Sequence, residues 1–557
     1  MQLTLLPSID PVDTPALRKG RGAFFTPGSI AQFLADWAIR TSGDLVLEPS
    51  AGDAAFLVAA VSRLRSLSPE TDFHPMVHGV EIHAKSIEIA QQRVQKAGGE
   101  AQIRHSDFFL IEPEPVYDTV IGNPPYIRFQ EFSGEARARS RRAALRGGVA
   151  LTGLASSWAA FTIHSSMFLK QGGRLALVLP AELLSVNYAA PVRRFLFKRF
   201  REVQLVLFDE QVFPGAEADV VLLLADGYLE GPTHHAIIRQ TRNAASLASL
   251  EAGMIWSPID PASKWTGSLV NPKAIESVHE LLKQETFTKL ESWGDTTLGI
   301  VTGNNKYFTL SPQRVKELGL ARNELLRLSP PGSSHLRGLS LSSAMLAKLG
   351  RKGHSTYLFY PSDSPSQQAA LYIENGHRTG VDTAYKCRIR KTWYRVPLVP
   401  AADLFLTCMN ADTPRLTTNE AGARHLNSVH GVYLNSCHRE LGRELLPLAS
   451  LNSITLLHAE MVGRSYGGGI LKIEPKEADA WAVPAPNLIW ARANTLRKVK
   501  PQVVKLLDEG KLLEAVNIVD QIVLLDYAGC TLEKIKLIRL ARAELVRRRT
   551  MRANSGH

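Results

Sequence analysis

At 557 residues and 45% hydrophobic composition, the chain is too long for one core of usual size and too apolar for global disorder, so two large domains are expected. Lys and Arg number 65 against 53 Asp and Glu, a net charge of +12, which reads either as a solvated basic surface or as the electrostatic footprint of a polyanion such as nucleic acid. The four cysteines, Cys387, Cys408, Cys437 and Cys530, show no metal-ligand spacing, the N-terminus lacks a basic region leading into an apolar run, and no stretch of about 20 residues is both free of charge and continuously apolar enough to span a bilayer; a cytoplasmic chain without a metal site or membrane span is expected.

Residues 1–20 contain prolines and read as an irregular extension. Helical periodicity starts near Ser29 (IAQFLADWAIR), and from Asp44 short apolar runs alternate with helical patterns. LVLEPSAG is strand then turn, Asp53 to about Leu64 helix, MVHGVEI strand and Ser86–Lys96 helix. AQIRHSDFF and YDTVIGNPP end two more strands, residues 158–170 form a helix, and GRLALVLP is again a strand. A helix near 190–199 is followed by VQLVLFD and DVVLLLADG, close enough in sequence to form an antiparallel edge. Continuous leucine and β-branched runs separated by helices predict a doubly wound α/β fold with a mostly parallel sheet over residues 21–227. From 228 to 492 the Gly, Pro, Ser and Asn clusters predict an irregular α+β domain, and residues 493–557 read as helical and basic. Eight cations between Lys534 and Arg552 face two acids, Glu533 and Glu544; this is either a solvated helix face or a phosphate contact.

In open α/β sheets ligands bind beyond the carboxyl ends of the strands, and the unusual residues of this chain fall there. Glu48 precedes a tight Pro49-Ser50-Ala51-Gly52 turn that admits close backbone approach. The turn lacks a full GxGxxG, and Glu48 would repel a pyrophosphate, so a dinucleotide fits poorly. An acid there suits a cation such as the ammonium and sulfonium of S-adenosylmethionine. Glu81, beside Ile82, ends the second strand, where a carboxylate can take both ribose hydroxyls. Asp107 ends the third, placed to accept from an adenine amino group with Phe108 beside it. Singly each acid reads as a cap or surface residue; three at successive strand ends read as a site.

The fourth strand runs into Asn123-Pro124-Pro125-Tyr126. An exocyclic amino group on a nucleobase is a poor nucleophile because its lone pair is delocalised into the ring. Two acceptors on its two N–H bonds, the Asn123 side-chain oxygen and the Pro124 carbonyl held rigid by Pro125, draw that lone pair out, and Tyr126 offers a stacking face. Methyl transfer to such a nitrogen needs positioning and acceptors rather than a metal or a nucleophilic cysteine.

In this order of motifs the sequence resembles the gamma-type, TaqI-like amino-group DNA methyltransferases. The carrying pieces are GRGAFFTP (Gly20–Pro27), EPSAGDAAFL, GVEI, SDFF, GNPPY, GGRLALVLP and QVFPGAEADVVLLL. The resemblance implies a seven-stranded class I methyltransferase sheet followed by a target-recognition domain. It implies that Thr26 and the Glu48–Gly52 turn contact the methionine part of S-adenosylmethionine, that Glu81 holds the ribose, and that Asp107 and Phe108 hold its adenine. Phe161, in WAAFTIHSSMF, matches the aromatic of the family's next motif. Phe213, in VFPGA, matches a second ring that would sandwich the target adenine with Tyr126. LGIVTGNNKYFTL, DLFLTCMNADTPRL and GRSYGGGILKIEP resemble recognition-domain segments.

The expected reaction is methylation of N6 of an adenine flipped out of double-stranded DNA. Asn rather than Ser before Pro-Pro leans to adenine over N4-cytosine. Expected partners are duplex DNA and a separate restriction endonuclease or none, with the chain a monomer. The basic stretch Glu135–Gly148 reads equally as a solvated helix or as an element that orders on DNA. Rival readings are an RNA or protein-glutamine amino-group methyltransferase with the same motif, and a non-catalytic specificity subunit. Such RNA and glutamine enzymes are usually shorter and lack so large a downstream domain.

Overall fold

A computed structural model of the chain describes residues 26–127, 131, 134–210, 212–213, 220–258 and 260–554, the side chains of 467 and 551–554 excepted. Most of the Gly20–Pro27 segment and residues 211 and 214–219 of the QVFPGAEADVVLLL segment lie outside the described residues. The chain divides into two compact units, Met1–Ser268 and Leu269–His557.

In the first unit, helix α1 (Gly28–Ala38) leads to strand β1 (Val46–Glu48), α2 (Ala55–Leu67), β2 (Met76–Glu81), α3 (Ala84–Lys96), β3 (Glu100–His105) and β4 (Tyr117–Gly122). Then follow α4 (Gly134–Arg146), α5 (Ser157–Ser166), β5 (Leu169–Pro180), α6 (Ala190–Arg199), β6 (Phe200–Phe208), β7 (Val220–Tyr228), β8 (Ala236–Thr241) and β9 (Met254–Trp256). They form one sheet in the order β3-β2-β1-β4-β5-β7-β6-β8-β9. β1 pairs in parallel with both β2 and β4, with Glu48 opposite Gly79 and Leu47 opposite Val120. The strand order therefore reverses at β1, and the crevice opens where Glu48 and Gly122 end their strands.

Continuous apolar runs become central strands. All nine residues of β7 are buried, and β7 runs antiparallel between β5 and β6. The expected antiparallel edge thus lies inside the sheet. The sheet has nine strands rather than seven and continues past Gly227: β8 pairs in parallel with β6, and β9 antiparallel with β8. On one face, α1 presents Ile30, Ala31, Leu34, Ala35 and Ala38 at helical spacing to a core that also holds Phe56, Leu57, Val61, Ile121 and Leu222.

The second unit is α+β. Its largest sheet has the order Gly294–Leu298, Val429–Leu434, Leu404–Thr407, Leu416–Asn419, Ser340–Leu341, antiparallel except for the last pair. Helices Arg439–Ala449, Ser453–Val462, Pro486–Asp508, Leu512–Asp520 and Leu532–Asn554 pack together beside it. The basic C-terminal run is not a uniformly solvated face. Arg549 is buried, pairs with Glu460 at 3.0 Å and reaches the Gly469 carbonyl. Arg539 pairs with buried Asp520 at 2.6 Å, and Lys534 with Glu280 at 2.9 Å. No single helix among the described residues is long and apolar enough to cross a membrane.

Candidate active site

The glycine turn after β1 is tied to its neighbours by backbone bonds. Ala51 N–H donates to the Val80 carbonyl at 2.9 Å, and Ala54 adopts left-handed backbone (φ +65°) to launch α2. Glu81 organises the end of β2: Gly52 N–H donates to Oε2, and Ile82 and His83 N–H to Oε1, each at 2.9 Å. Both acceptor positions of Oε1 are used, so the position left open is on Oε2. Glu48 is 2% exposed and accepts from Leu57 N–H at 3.2 Å. Burial, reinforced by the nearby Asp53 and Glu81 carboxylates, pushes its acid well above the ordinary range. Asp107 Oδ1 caps the turn Phe108–Leu110 by accepting from Phe109 N–H at 3.0 Å, while Oδ2 lies 3.6 Å from Arg139 Nε of α4.

The β4 tip meets this turn directly. A Cβ on Gly122 would stand 3.3 Å from Pro49 Cδ, so only glycine lets the two strand ends touch without displacement. The Asn123 carboxamide is oriented at both ends: Nδ2 donates to Thr26 Oγ1 at 3.1 Å, and Oδ1 accepts from Tyr126 Oη at 2.7 Å. The Val178 carbonyl lies 3.0 Å from the same hydroxyl. Ser157, at the start of α5, clamps the turn. It donates to the Pro125 carbonyl through Oγ, accepts there from Ile127 N–H at 2.9 Å, and gives its own N–H to the Ile127 carbonyl at 3.1 Å.

These elements enclose a cavity of about 520 Å³. Of the residues singled out from sequence, Thr26, Glu48, Pro49, Ser50, Ala51, Gly52, Glu81, Ile82, Asp107, Phe108, Asn123, Pro125 and Phe161 line it. Phe108 and Phe161 stack with ring centroids 5.4 Å apart and planes 19° from parallel, forming an aromatic wall near Asp107. Three residues are not brought to the cavity. Pro124 is buried behind Pro125 in the turn. Tyr126 packs against the core beneath α1, and Phe213 is a core residue, 3% exposed, rather than an open stacking face. An apolar ring with core within reach loses more water contact by packing than by lining a wet crevice.

Three contributions were not foreseen. Ser157 is visible in sequence only as one of two serines before a helix. Arg139 has its Nε buried without a hydrogen-bond partner beside Asp107, and Ala136 of the same helix lines the cavity. α4 therefore packs one face over this end of the crevice and leaves Arg142, Leu145 and Arg146 exposed on the other. Arg146 is held outward by Glu112 at 3.0 Å and Arg141 by the Leu151 carbonyl at 3.1 Å.

Residues 14–228 match the family model N-6 DNA Methylase, and residues 262–524 match the C-terminal domain of the type II methyltransferase M.Eco57I. The chain belongs to the N6-adenine DNA methyltransferases of type II restriction-modification systems. Among its relatives, the methyltransferase is 23% identical over 475 residues to type II methyltransferase M.AccI of Acinetobacter calcoaceticus, covering 83% of this chain and 84% of the relative. It is 24% identical over 500 residues to M.XamI of Xanthomonas campestris pv. amaranthicola, covering 86% and 87%. In fold it is similar to the type IIL restriction-modification enzyme MmeI in complex with DNA, with TM-score 0.54 at 11% identity, over 92% of this chain and 73% of that one. The methyltransferase thus methylates adenine N6 in DNA with S-adenosylmethionine, as a modification enzyme. Its crevice fits that cofactor: a buried carboxylate suited to a cation, an acceptor at each of two further strand tips, and an aromatic wall beside Asp107.

Proposed function

We propose that Asn123 and Pro124 present the two acceptors that activate the N6 amino group of an adenine extruded from duplex DNA, in the gamma-type arrangement of motifs. One observation carries this reading: Asn123, its carboxamide held by Thr26 and Tyr126, lines the same cavity as Glu48, Glu81 and Asp107. S-adenosylmethionine, when bound, supplies an electrophilic methyl carbon. Glu48, beside the glycine turn, favours its cationic part, Glu81 accepts from the ribose through the open position on Oε2, and Asp107 with Phe108, Phe161 and Ile82 holds the adenine ring.

At the acceptor side, Asn123 Oδ1 takes one N–H of the target amino group; the Pro124 carbonyl takes the other once the turn that buries it shifts to admit the base, and the two acceptors together localise the nitrogen lone pair. Tyr126 Oη then donates to the Val178 carbonyl, which is already within reach. Residues beyond Ser268 read the DNA sequence. The chain acts as a monomer, with any endonuclease on a separate polypeptide.

The test is sequencing of genomic DNA from an unmethylated host expressing the chain or its Asn123→Ala variant. Modified adenines at one short motif with the parent and none with the variant are expected. Modification by the folded variant at the parental level would overturn the acceptor role.

A further inference from the structure

In the second unit, residues 383–402 contain five cations and no acid. Two of the five are structural. Arg390 donates to the Val301 and Thr302 carbonyls, both at 2.8 Å, and lies 5.8 Å over the Phe308 ring. Arg395 pairs with Asp363 at 2.7 Å and lies 5.0 Å over the Tyr360 ring. Arg390 thereby welds the turn after Ala384 to the loop Val301–Asn305. Gly303 completes the contact: it has φ +87°, and a Cβ there would meet Lys386 Cβ at 3.0 Å and Cys387 Sγ at 3.2 Å.

The weld leaves a particular set of groups outside. Lys386, Arg388 and Lys391 on the turn and Lys306 in the short helix Asn305–Phe308 that follows the facing loop are exposed, with no acidic partner among the described residues. Asp382, the nearest acid in sequence, accepts from His377 at 2.7 Å. Among the cations stand Tyr385, 64% exposed, and Ile389, 58% exposed, with Lys386 5.7 Å from the Tyr385 ring centroid. A merely solvating surface has no use for a tyrosine and an isoleucine held open on a rigid turn. Alternating cations and apolar groups on a fixed scaffold match a sugar–phosphate strand, whose charges repeat along an apolar sugar edge.

We propose that this surface grips the sugar–phosphate backbone of the DNA substrate, setting the position of the duplex on the second unit without reading its sequence. The proposal rests on the reading of the chain as a methyltransferase of duplex DNA. It also separates functional cations from structural ones, since Arg539 and Arg549 of the C-terminal helix are spent on Asp520 and Glu460.

The test compares the full chain with a triple variant, Lys386→Ala, Arg388→Ala, Lys391→Ala. A control removes three exposed lysines elsewhere in the unit, Lys283→Ala, Lys476→Ala, Lys498→Ala. Duplex affinity is measured by fluorescence anisotropy across a salt series. Each lost phosphate contact lowers the slope of log K against log salt by about 0.9, so the first triple is expected to lower it by ~2–3 and the control far less. Melting temperature, S-adenosylmethionine affinity and the pattern of modified sites should stay as in the parent. An unchanged slope, an equal fall in the control, or an altered pattern of sites would overturn the assignment. Binding is read without turnover. A parent that methylates no adenine would count against the methyltransferase reading, and the slopes would still decide this surface.

Discussion

The Tyr126 hydroxyl stands 2.7 Å from Asn123 Oδ1 and 3.0 Å from the Val178 carbonyl, one proton between two acceptors. Burial raises the phenol well above its ordinary range, so that proton stays on the oxygen. Removing the Asn123 carboxamide leaves the hydroxyl a partner, so Asn123→Ala should fold. Its methyl transfer should fall by about 10³-fold or more, at near-normal cofactor affinity. Tyr126→Phe should keep turnover within about tenfold, since it removes a competitor for Oδ1 and leaves the ring. Single-turnover assays with labelled methyl donor, alongside calorimetric cofactor titration, check both.

Ser157→Ala should slow the reaction without weakening cofactor binding. It strips the Pro125 carbonyl of a donor and Ile127 N–H of an acceptor, costing about 1–3 kcal/mol and letting the acceptor turn drift. A tenfold to hundredfold fall in kcat is expected from misplacement of this order. Ser157→Thr, which restores the hydroxyl, should recover most of it.

On the proposed seat for the cofactor, Glu48 couples binding to pH. Its folded acid is raised, so the folded chain holds a proton that the unfolded chain gives up. That contribution to stability is present below the unfolded value and lost as pH climbs from there towards the folded value. Glu48→Gln should therefore raise stability at pH 8, by about 0.5–2 kcal/mol, while weakening the cofactor. In the parent, binding of the cationic cofactor should release a proton and strengthen with rising pH. Calorimetry in buffers of different ionisation enthalpy measures the release; an equal release from the Gln variant would contradict it.

Arg549→Ala should act on stability alone. The change leaves Glu460 buried without its cation, a loss of ~3–5 kcal/mol visible in thermal unfolding. The salt slope of DNA binding should not move.

The sheet was legible because its central strands are continuous apolar runs and its helices keep a 3.6 period. The extension through β8 and β9 was not: Ala236–Thr241 and Met254–Trp256 are short, and each is added to an edge, β8 to that of β6 and β9 to that of β8. That Glu48, Glu81, Asp107 and Asn123 would meet was legible because each follows the end of a strand readable from its apolar run, and successive strand ends converge on one cavity. Where Phe213 and Tyr126 point was not, because a ring's burial is decided by packing distant in sequence. The same holds for the C-terminal arginines: Glu460 lies 89 residues from Arg549, beyond any local charge pattern.

The contact between Gly122 and the Pro49 ring has a mechanical consequence. The tips of β1 and β4 meet there with no room for a side chain between them, so on the proposed assignment the seat of the methyl donor and that of its receiver share one contact. If the second unit reads the DNA word, as proposed, changes in that word leave the distance of methyl travel untouched, whereas one added methyl group at position 122 would alter it for every word alike.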